Sequence, residues 1–323
     1  MKALQAVGVG LALMLLVGGC QKHGVSQRLV AFSQANNAEP YRAAQKALME
    51  KLFQRSPQVK LVVADAQQDN SRQIAQIETF IRQKPDVLIV APNERAALSA
   101  VMGQAMQAGI PVICLERDIS QPNYTSYIRI DNRTIGRMAG QFIVDSLTKK
   151  YGAPRGNVVI LRGLLGVEAQ INRDGGAREI LSRYPEIHIV ADPVADWIQA
   201  KAKDRMTEVL RVQPRIDVVY GHNDPMAVGA YLAAKELNRE QEMIFIGVDG
   251  LGGPAGGIRK VMDGVLAATF VYPLGVQEAV DIANKILREP TYRPVREITL
   301  SSVMVTRENA SQLYQQLTVP GER

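Results

Sequence analysis

Residues 29–33 read Leu-Val-Ala-Phe-Ser, and residues 59–64 read Val-Lys-Leu-Val-Val-Ala. A helix-length amphipathic segment begins near Tyr41, between these two apolar runs, and another begins near Asn70. Short apolar runs that alternate with helices are typical of parallel βαβ units, in which helices cover both faces of a sheet. This stretch therefore predicts an α/β fold.

The same alternation continues along the rest of the chain. Further apolar runs occupy residues 87–91, 111–115, 128–131, 158–161, 187–191, 217–220 and 243–248. Because the pattern restarts after residue 131, it predicts two consecutive doubly wound parallel sheets. No Pro/Gly/Ser-rich linker separates the halves, which indicates two packed lobes joined by short crossings.

The first twenty residues have the composition of an export signal. A charged start precedes an apolar run from Ala3 to Val17, and two glycines then lead to Cys20. This segment resembles the lipobox of bacterial lipoproteins, in which the chain is cut before a cysteine that carries acyl chains; a short membrane helix is the alternative. We expect residues 1–20 to be a lipoprotein signal peptide, Cys20 to be lipidated and residues 21–28 to form a polar tether. The expected location is extracytoplasmic, in the periplasm or on the outer face of the cell membrane.

Size, charge and cysteine content narrow the class of protein. About 300 of the 323 residues would remain after cleavage, which favours two lobes over a single core. The net charge of +6 falls to +5 without Lys2 (37 basic minus 32 acidic residues). Basic residues are scattered, so we expect no nucleic-acid partner. We also expect the protein to be a monomer. Cys114 lies inside an apolar run, and no intramolecular disulfide is expected.

Motifs of catalysis and cofactor binding are missing from the sequence. The three histidines, His23, His188 and His222, are scattered, without the His-Glu-x-x-His spacing of zinc enzymes. The chain also lacks a Gly-Lys-Ser/Thr phosphate loop. We therefore expect neither an enzyme nor a metal or cofactor site.

Polar residues follow several predicted strands, at the edge where doubly wound folds bind their ligands. Glu116 and Arg117 follow one strand, Asn223 follows another, and Asp249 follows a third. Each of them alone is more often a helix cap or a turn former. Their coincidence in both halves predicts a ligand cleft between the lobes.

The loop after the first strand supplies groups suited to a sugar. Glu39, Tyr41 and Arg42 surround Pro40, which presets the start of a helix. The Tyr41 ring could cover the apolar face of a sugar, while Glu39, Arg42 and an asparagine bind hydroxyls. The alternative is that Tyr41 packs as a hydrophobic staple and Arg42 is a surface charge.

Two further groups have both a functional and a structural interpretation. Glu116 beside Arg117 places an acceptor next to a forked donor, which suits a vicinal diol; the alternative is an internal salt bridge. Trp197, the only tryptophan in the chain, precedes a predicted helix. Its ring could face Tyr41 across a ligand or simply pack in the core.

Over nearly its whole length after the predicted signal peptide, the chain resembles the type I periplasmic sugar-binding proteins of ABC importers, a group with ribose-, allose- and galactofuranose-binding members. The matching motifs are Phe32-Ser-Gln with Pro40-Tyr41-Arg42, Val90-Ala-Pro92, Ile110-Pro-Val112 with Glu116-Arg117, Asp131-Asn132 with Gly136, Leu161-Arg-Gly163 with Gly166 and Arg173, Asp196-Trp197, His222-Asn-Asp224 with Met226 and Gly229-Ala230, and Gly247-Val-Asp-Gly250 with Ala268-Thr269. The resemblance implies a pocket at Asn37 (or Asn36), Tyr41, Arg42, Glu116, Arg117, Arg173, Trp197, Asn223, Asp249 and Tyr272.

The resemblance also implies how the chain is divided. It implies crossings between the lobes near Ile130, Tyr272 and Thr299, which form a three-crossing hinge. The expected N-terminal lobe is residues 29–130 plus 273–299, and the C-terminal lobe is residues 131–272 plus 300–323. The chain departs from the family pattern at Glu116, usually aspartate, and at Tyr272, often an amide in ribose binders.

The charges of the predicted pocket balance. Three carboxylates oppose three guanidinium groups: Glu39, Glu116 and Asp249 against Arg42, Arg117 and Arg173. A neutral set of donors and acceptors suits an uncharged polyol, so we expect a pentose or hexose ligand. The resemblance implies that the protein closes around this monosaccharide and delivers it to the permease of an ABC importer. The alternative is a receptor that presents a sugar or autoinducer to a membrane sensor kinase.

Overall fold

The apolar runs become the strands of two six-stranded sheets in the computed structural model, which describes residues 27–318. The predicted signal peptide, Cys20 and most of the predicted tether lie outside the described residues. The tether was expected to end at residue 28, but Arg28 is already the first residue of a strand. Its amide donates to the Gln58 carbonyl, and its side chain forms an ion pair with Asp86.

The twelve strands are short and mostly buried. They are β1 (Arg28–Gln34), β2 (Val59–Asp65), β3 (Val87–Ala91), β4 (Val112–Glu116), β5 (Ser126–Ile130), β6 (Gly156–Leu161), β7 (Ile187–Ala191), β8 (Val218–Gly221), β9 (Ile244–Ile246), β10 (Ala268–Phe270), β11 (Glu297–Leu300) and β12 (Met304–Thr306).

The helices connect these strands and cover the sheets. They are α1 (Pro40–Phe53), α2 (Asn70–Gln83), α3 (Ser99–Gln107), α4 (Asn132–Tyr151), α5 (Glu168–Leu181), α6 (Gln199–Val212), α7 (Asp224–Glu236), α8 (Gly257–Met262), α9 (Val276–Arg288) and α10 (Ala310–Leu317), with a 3₁₀ turn at Glu240–Glu242.

The two sheets confirm the predicted α/β class and differ in one edge strand. The first sheet has the order β11-β5-β4-β3-β1-β2, and its neighbouring strands are all parallel. The second has the order β12-β10-β9-β8-β6-β7, and β12 runs antiparallel to β10. The other neighbouring strands of this sheet are parallel, so β12 is a single antiparallel strand at the edge of a parallel sheet.

The chain passes between the sheets three times: after β5, after β10 and between β11 and β12. We propose that these crossings divide the lobes as the sequence suggested, residues 29–130 plus 273–299 against residues 131–272 plus 300–323. Leu300 still pairs with Ile130 in the first sheet, one residue beyond the proposed boundary. The three crossings join the two sheets, so that the carboxyl ends of their strands lie on either side of one cleft.

Residues at the starts of several helices fix where those helices begin at the cleft. Pro40 occupies the first turn of α1, where its missing amide hydrogen costs nothing. The side chain of Asp131 accepts from the Thr134 amide at the start of α4, and Asn223 accepts from the Met226 amide at the start of α7. These caps orient the first turns of helices that border the cleft.

Glycines allow α4 and α5 to pack backbone against backbone. A Cβ atom on Gly136 would lie 2.3 Å from the Arg173 carbonyl oxygen, and one on Gly176 would lie 2.3 Å from the Arg133 carbonyl oxygen. Contacts this short do not occur between non-bonded atoms, so both positions require glycine. The close approach sets the position of Arg173, one of the predicted pocket residues.

We predict opposite outcomes for two adjacent glycines of α5. Gly176→Ala should lower the free energy of unfolding by about 1–3 kcal/mol, because the helices must move apart. In Gly175→Ala the new methyl group meets only the mobile end of the Arg133 side chain, at 3.0 Å. That variant should gain up to about 1 kcal/mol from helix propensity. Urea unfolding measures both, and equal effects of the two substitutions would contradict the packing argument.

Candidate functional site

Side chains from both lobes meet in a buried cavity at the carboxyl ends of the strands. Its lining contains ten of the twelve predicted site residues, together with Ala169. The lining residues are Glu39, Tyr41, Arg42, Glu116, Arg117, Ala169, Arg173, Trp197, Asn223, Asp249 and Tyr272. We call this space the central cavity. The roles of these residues in ligand binding remain predictions.

The central cavity is narrow in this conformation. Its volume is about 20 Å³, room for roughly one water molecule. Large side chains such as Arg42, Arg173 and Tyr272 fill the rest of the space between the lobes. A sugar ring therefore enters only if these side chains move or the lobes separate.

Glu116 is bound by protein groups on both of its oxygens. The Arg42 guanidinium lies 2.5 Å from Oε2 and that of Arg117 lies 3.7 Å from it, while the Tyr272 hydroxyl donates to Oε1 at 2.8 Å. Burial acts to raise the pKa of Glu116, but the two guanidinium groups and the Tyr272 hydrogen bond hold that pKa below its usual value. The carboxylate is thus ionised and forms the internal salt bridge that the sequence left open as an alternative.

The backbone around Glu116 is strained. Its φ of 69° is in the left-handed region, which is unfavourable for a side chain of this size. Glu116 is the last residue of β4, and its carboxylate lines the central cavity.

Arg42 and Tyr41 attach α1 to the crossing segment between the lobes. The Arg42 guanidinium also donates to Gln45 Oε1 at 2.9 Å, and Gln45 donates to the Leu274 carbonyl at 2.9 Å. The Tyr41 hydroxyl donates to the Pro273 carbonyl at 2.8 Å. The Tyr41 and Tyr272 rings lie 5.0 Å apart, centroid to centroid. Arg42 is not the surface charge that one interpretation of the sequence allowed, because its side chain is buried; Tyr41 is buried too, which agrees with either interpretation.

Arg173 is fixed from three sides. Its Nε donates to Asn132 Oδ1 at 2.9 Å, one terminal nitrogen donates to the His222 carbonyl, and its guanidinium lies 4.3 Å from the centre of the Tyr272 ring. Asn132 also donates to the Tyr272 hydroxyl at 3.2 Å. The site prediction omitted Asn132, although the matching Asp131-Asn132 motif was a usable signal.

Asp249 differs from the other pocket acids because its carboxylate has no hydrogen-bond partner among the described residues, although its backbone bonds Phe270 and Tyr272. It is 6% exposed, and its carboxylate makes no hydrogen bond to any residue in the range 27–318. Its φ of 136° is unusual for a residue with a side chain. Burial and the nearby Asp224 raise its pKa well above the ordinary value, although the Arg173 guanidinium opposes this. Two acceptor oxygens therefore remain available at the edge of the cavity.

Trp197 lines the cavity and also packs in the hydrophobic core of the second lobe. A Cβ on Gly163 would approach its ring to 2.2 Å, so glycine makes room for the indole. Asn223 donates to the Trp197 carbonyl at 3.1 Å and caps α7 at the same time. Asn223 therefore has both the structural and the cleft-lining position that the sequence suggested.

Several buried donors of the cavity lack a protein partner. Among residues 27–318, no hydrogen bond is made by Arg42 Nε, Arg117 Nε or Trp197 Nε1. Burial, followed by the neighbouring Arg42, lowers the pKa of Arg117. Unpaired buried polar groups are costly in a folded protein, which is why they commonly mark a binding site. Together with Asp249, these groups offer both donors and acceptors to a bound molecule.

Asn36 and Asn37 do not line the central cavity. Asn36 Oδ1 accepts from the amides of Ala38 and Glu39, each at 3.1 Å, and its Nδ2 donates to the Glu39 carboxylate at 2.6 Å. It therefore holds the loop that carries Glu39. Asn37 lies further out, in a groove at the mouth of the cleft.

The described residues contain neither a cluster of metal ligands nor a membrane-spanning helix. In the range 27–318, no three His, Cys, Asp or Glu side chains are arranged to hold a metal ion. Over the same residues, no helix combines the length and the apolar character needed to cross a bilayer.

The two sheets form two α/β lobes, and residues of both lobes line one polar cavity. This arrangement is typical of proteins that bind a ligand between two lobes. Residues 30–289 match the family model described as a periplasmic binding protein domain. The chain belongs to this family, within its type I sugar-binding group.

The relatives are sugar and polyol binders. A xylitol-binding protein of Mycolicibacterium smegmatis is 31% identical over 249 residues, which cover 74% of this chain and 69% of that protein. The fructose-binding periplasmic domain of a hybrid two-component system is 34% identical, with a TM-score of 0.83 over 90% of this chain and 94% of that one. The periplasmic component of the arabinose ABC transporter of Shewanella sp. ANA-3, bound to L-arabinofuranose, is 27% identical, with a TM-score of 0.81 over 89% and 95%.

We predict that ionisation of Asp249 destabilises the ligand-free protein. A carboxyl with a raised pKa keeps its proton to higher pH in the folded than in the unfolded state, so its contribution to stability falls as the pH rises above about 4. Asp249→Asn cannot ionise, and its free energy of unfolding relative to the parent should increase from pH 4 to pH 7. Urea unfolding at each pH measures the difference.

Exposed Asp204 supplies the control for this experiment. Asp204→Asn makes the same chemical change at an exposed position of α6 and controls for the substitution itself. A difference between Asp249→Asn and the parent that stays constant from pH 4 to pH 7 would contradict the assignment of a raised pKa to Asp249.

Proposed function

We propose that this protein is an extracytoplasmic solute-binding protein, not an enzyme, that captures a neutral monosaccharide between its lobes and delivers it to an ABC importer. The observation that carries the proposal is the central cavity, which is lined by the carboxylate of Asp249 and by Arg42, Arg117 and Trp197, each with one buried nitrogen that makes no hydrogen bond within residues 27–318. Family membership and the sugars named for its relatives support it.

The charges of the cavity favour an uncharged ligand. The ion pair of Glu116 with Arg42 and Arg117 satisfies that carboxylate within the protein. Arg173 has Asp249 as its acidic neighbour, and Glu39 adds a further carboxylate at the rim. A ligand carboxylate or phosphate would need an unopposed cation, whereas a polyol needs donors and acceptors together.

We propose distinct roles for the residues around the ligand. Asp249 accepts hydrogen bonds from two sugar hydroxyls, Arg117 and Arg42 donate to sugar oxygens, and the Trp197 ring covers a face of the sugar. Hydroxyl donors beside Asp249 stabilise its ionised form and lower its pKa, so ligand binding is coupled to release of a proton. Asn223, Arg173 and the remaining predicted residues hold these groups in place.

Closure of the lobes is the proposed mechanism of capture. Tyr272 and Glu116 come from different lobes, and their 2.8 Å hydrogen bond joins the two in the closed arrangement. A ligand that contacts both lobes stabilises this arrangement over an open one. A permease would then distinguish the closed surface from the open one.

The proposed location follows from the N-terminal sequence. We propose that Cys20 carries the lipid anchor and that the residues after it tether the folded body to a membrane. This part of the proposal depends on the lipobox-like sequence alone.

A second candidate function is supported by one comparison. The fructose-binding domain of a hybrid two-component system is 34% identical to this chain, so the same fold also serves signalling. Deletion of the gene separates the two functions. Loss of labelled-sugar uptake supports the importer role, and loss of sugar-induced transcription with intact uptake supports the receptor role.

We predict that one sugar or polyol will stabilise the protein produced from Gln21 onward, and that Asp249→Ala will weaken its binding about tenfold to more than a hundredfold. Hydrogen bonds to a charged group contribute roughly 1.5–3 kcal/mol each. Thermal unfolding with pentoses, hexoses, sugar alcohols and amino acids identifies the ligand, because a ligand that binds only the native state raises its stability. Titration calorimetry then gives the affinity.

The matched control for Asp249→Ala is Asp204→Ala, which removes an exposed carboxylate from α6. This control should bind as the parent does. Parent-like binding by Asp249→Ala would refute the assigned site, and stabilisation by amino acids alone would refute the proposed ligand class.

A further inference from the structure

A second cavity opens at the mouth of the cleft, between the two lobes. One wall is the loop from Asn36 to Pro40 with residues 65–68 of the first lobe, and the other is the segment 197–199 with Pro225 of the second lobe. We call this space the mouth groove. Its volume is about 480 Å³, which is within the usual range of roughly 300–1,000 Å³ for sites that bind small molecules.

The mouth groove adjoins the central cavity. Glu39 and Trp197 line both spaces, one from each lobe. A substituent of a bound molecule that leaves the central cavity between these two side chains would lie in the mouth groove.

The walls of the mouth groove combine apolar surface with amide groups. Ile198 is 43% exposed, an unusual exposure for isoleucine, and Pro40 and Pro225 add further apolar surface. The Asn37 side-chain oxygen is buried and has no partner among residues 27–318. This is the combination that recognises a sugar ring, which has apolar C–H faces and a polar edge of hydroxyls.

Left-handed backbone occurs in or beside both walls. On the first lobe, Gln67 and Gln68 have φ values of 54° and 60°; on the second, Trp197 has a value of 69°, and Asp196, just before the wall, has a value of 51°. This conformation is unfavourable for residues with a side chain. Side-chain bonds hold the first pair: Arg72 donates to Gln67 at 2.8 Å, and Gln68 donates to Glu39 at 3.2 Å. The walls are thus held in a set shape rather than left to relax.

We propose that the mouth groove is a second sugar subsite, so that the preferred ligand is a disaccharide or longer glycoside with one ring in the central cavity. This proposal rests on the proposed function and extends its ligand class. The second ring packs on Ile198 and the prolines, and one of its hydroxyls donates to the Asn37 oxygen. The first ring keeps the contacts proposed for a monosaccharide.

Calorimetric titration of matched ligands tests this proposal. The first set of probes is fructose with two disaccharides that contain it, levanbiose and sucrose. The second set is arabinose with the disaccharide arabinobiose and with 4-nitrophenyl arabinofuranoside. We expect at least one disaccharide to bind about tenfold or more tightly than its parent monosaccharide. Equal or weaker binding of the disaccharides, with monosaccharides bound, would overturn the subsite and leave the proposed function intact. A gain with the nitrophenyl glycoside alone would also overturn it, because the groove would then select an aromatic group.

Two variants locate the gain in the mouth groove. Ile198→Ala removes the apolar wall, and Ala38→Phe fills the groove from the opposite lobe. Both should reduce disaccharide affinity about threefold to tenfold without changing monosaccharide affinity. The matched control is Val212→Ala, which truncates a 73% exposed apolar residue at the far end of α6, about 20 Å away. The subsite would be overturned if Val212→Ala lost the preference for the disaccharide, or if both groove variants kept it. Failure of every sugar to bind would overturn the proposed function as well.

Discussion

The ion pair between Arg42 and Glu116 determines how the cleft is built. Both side chains are almost completely buried, and removing two charges from water costs several kcal/mol for each ion unless partners replace the lost hydration. Those partners come from both lobes: Gln45 bonds Arg42, and Tyr272 bonds Glu116. The Glu116 carboxylate therefore has partners on both of its oxygens only when the lobes face each other. The ion pair thus links the stability of the cleft to the arrangement of the lobes, whatever its net contribution to folding.

Most of the fold could be predicted because parallel strands buried on both faces leave a clear pattern in sequence. The run at residues 87–91 became β3 without change. The direction of the edge strand β12 was not predictable, since its three residues carry no periodicity and it pairs with β10 alone. Short strands at a sheet edge are defined by their neighbours more than by their own residues.

The site was predictable to the extent that it lies at strand ends. Strand ends locate a side chain near the cleft but do not show what it bonds to. Glu116 was expected to bind a diol, yet Arg42 and Tyr272, distant in sequence, occupy its oxygens. Asn132 was missed because a residue in the first turn of a helix usually serves only that helix, whereas here it bonds both Arg173 and Tyr272. Such networks depend on three-dimensional neighbours, which one sequence shows only through family resemblance.

Fluorescence titration of Trp197 can show whether a sugar binds in the central cavity, because this is the only tryptophan in the chain and it lines that cavity. A sugar that binds in the cleft must change the surroundings of its indole ring. We expect a saturable change in tryptophan emission with the same affinity that calorimetry gives for that sugar. Stabilisation by a sugar without any change in emission would place the ligand outside the central cavity and contradict the proposed site.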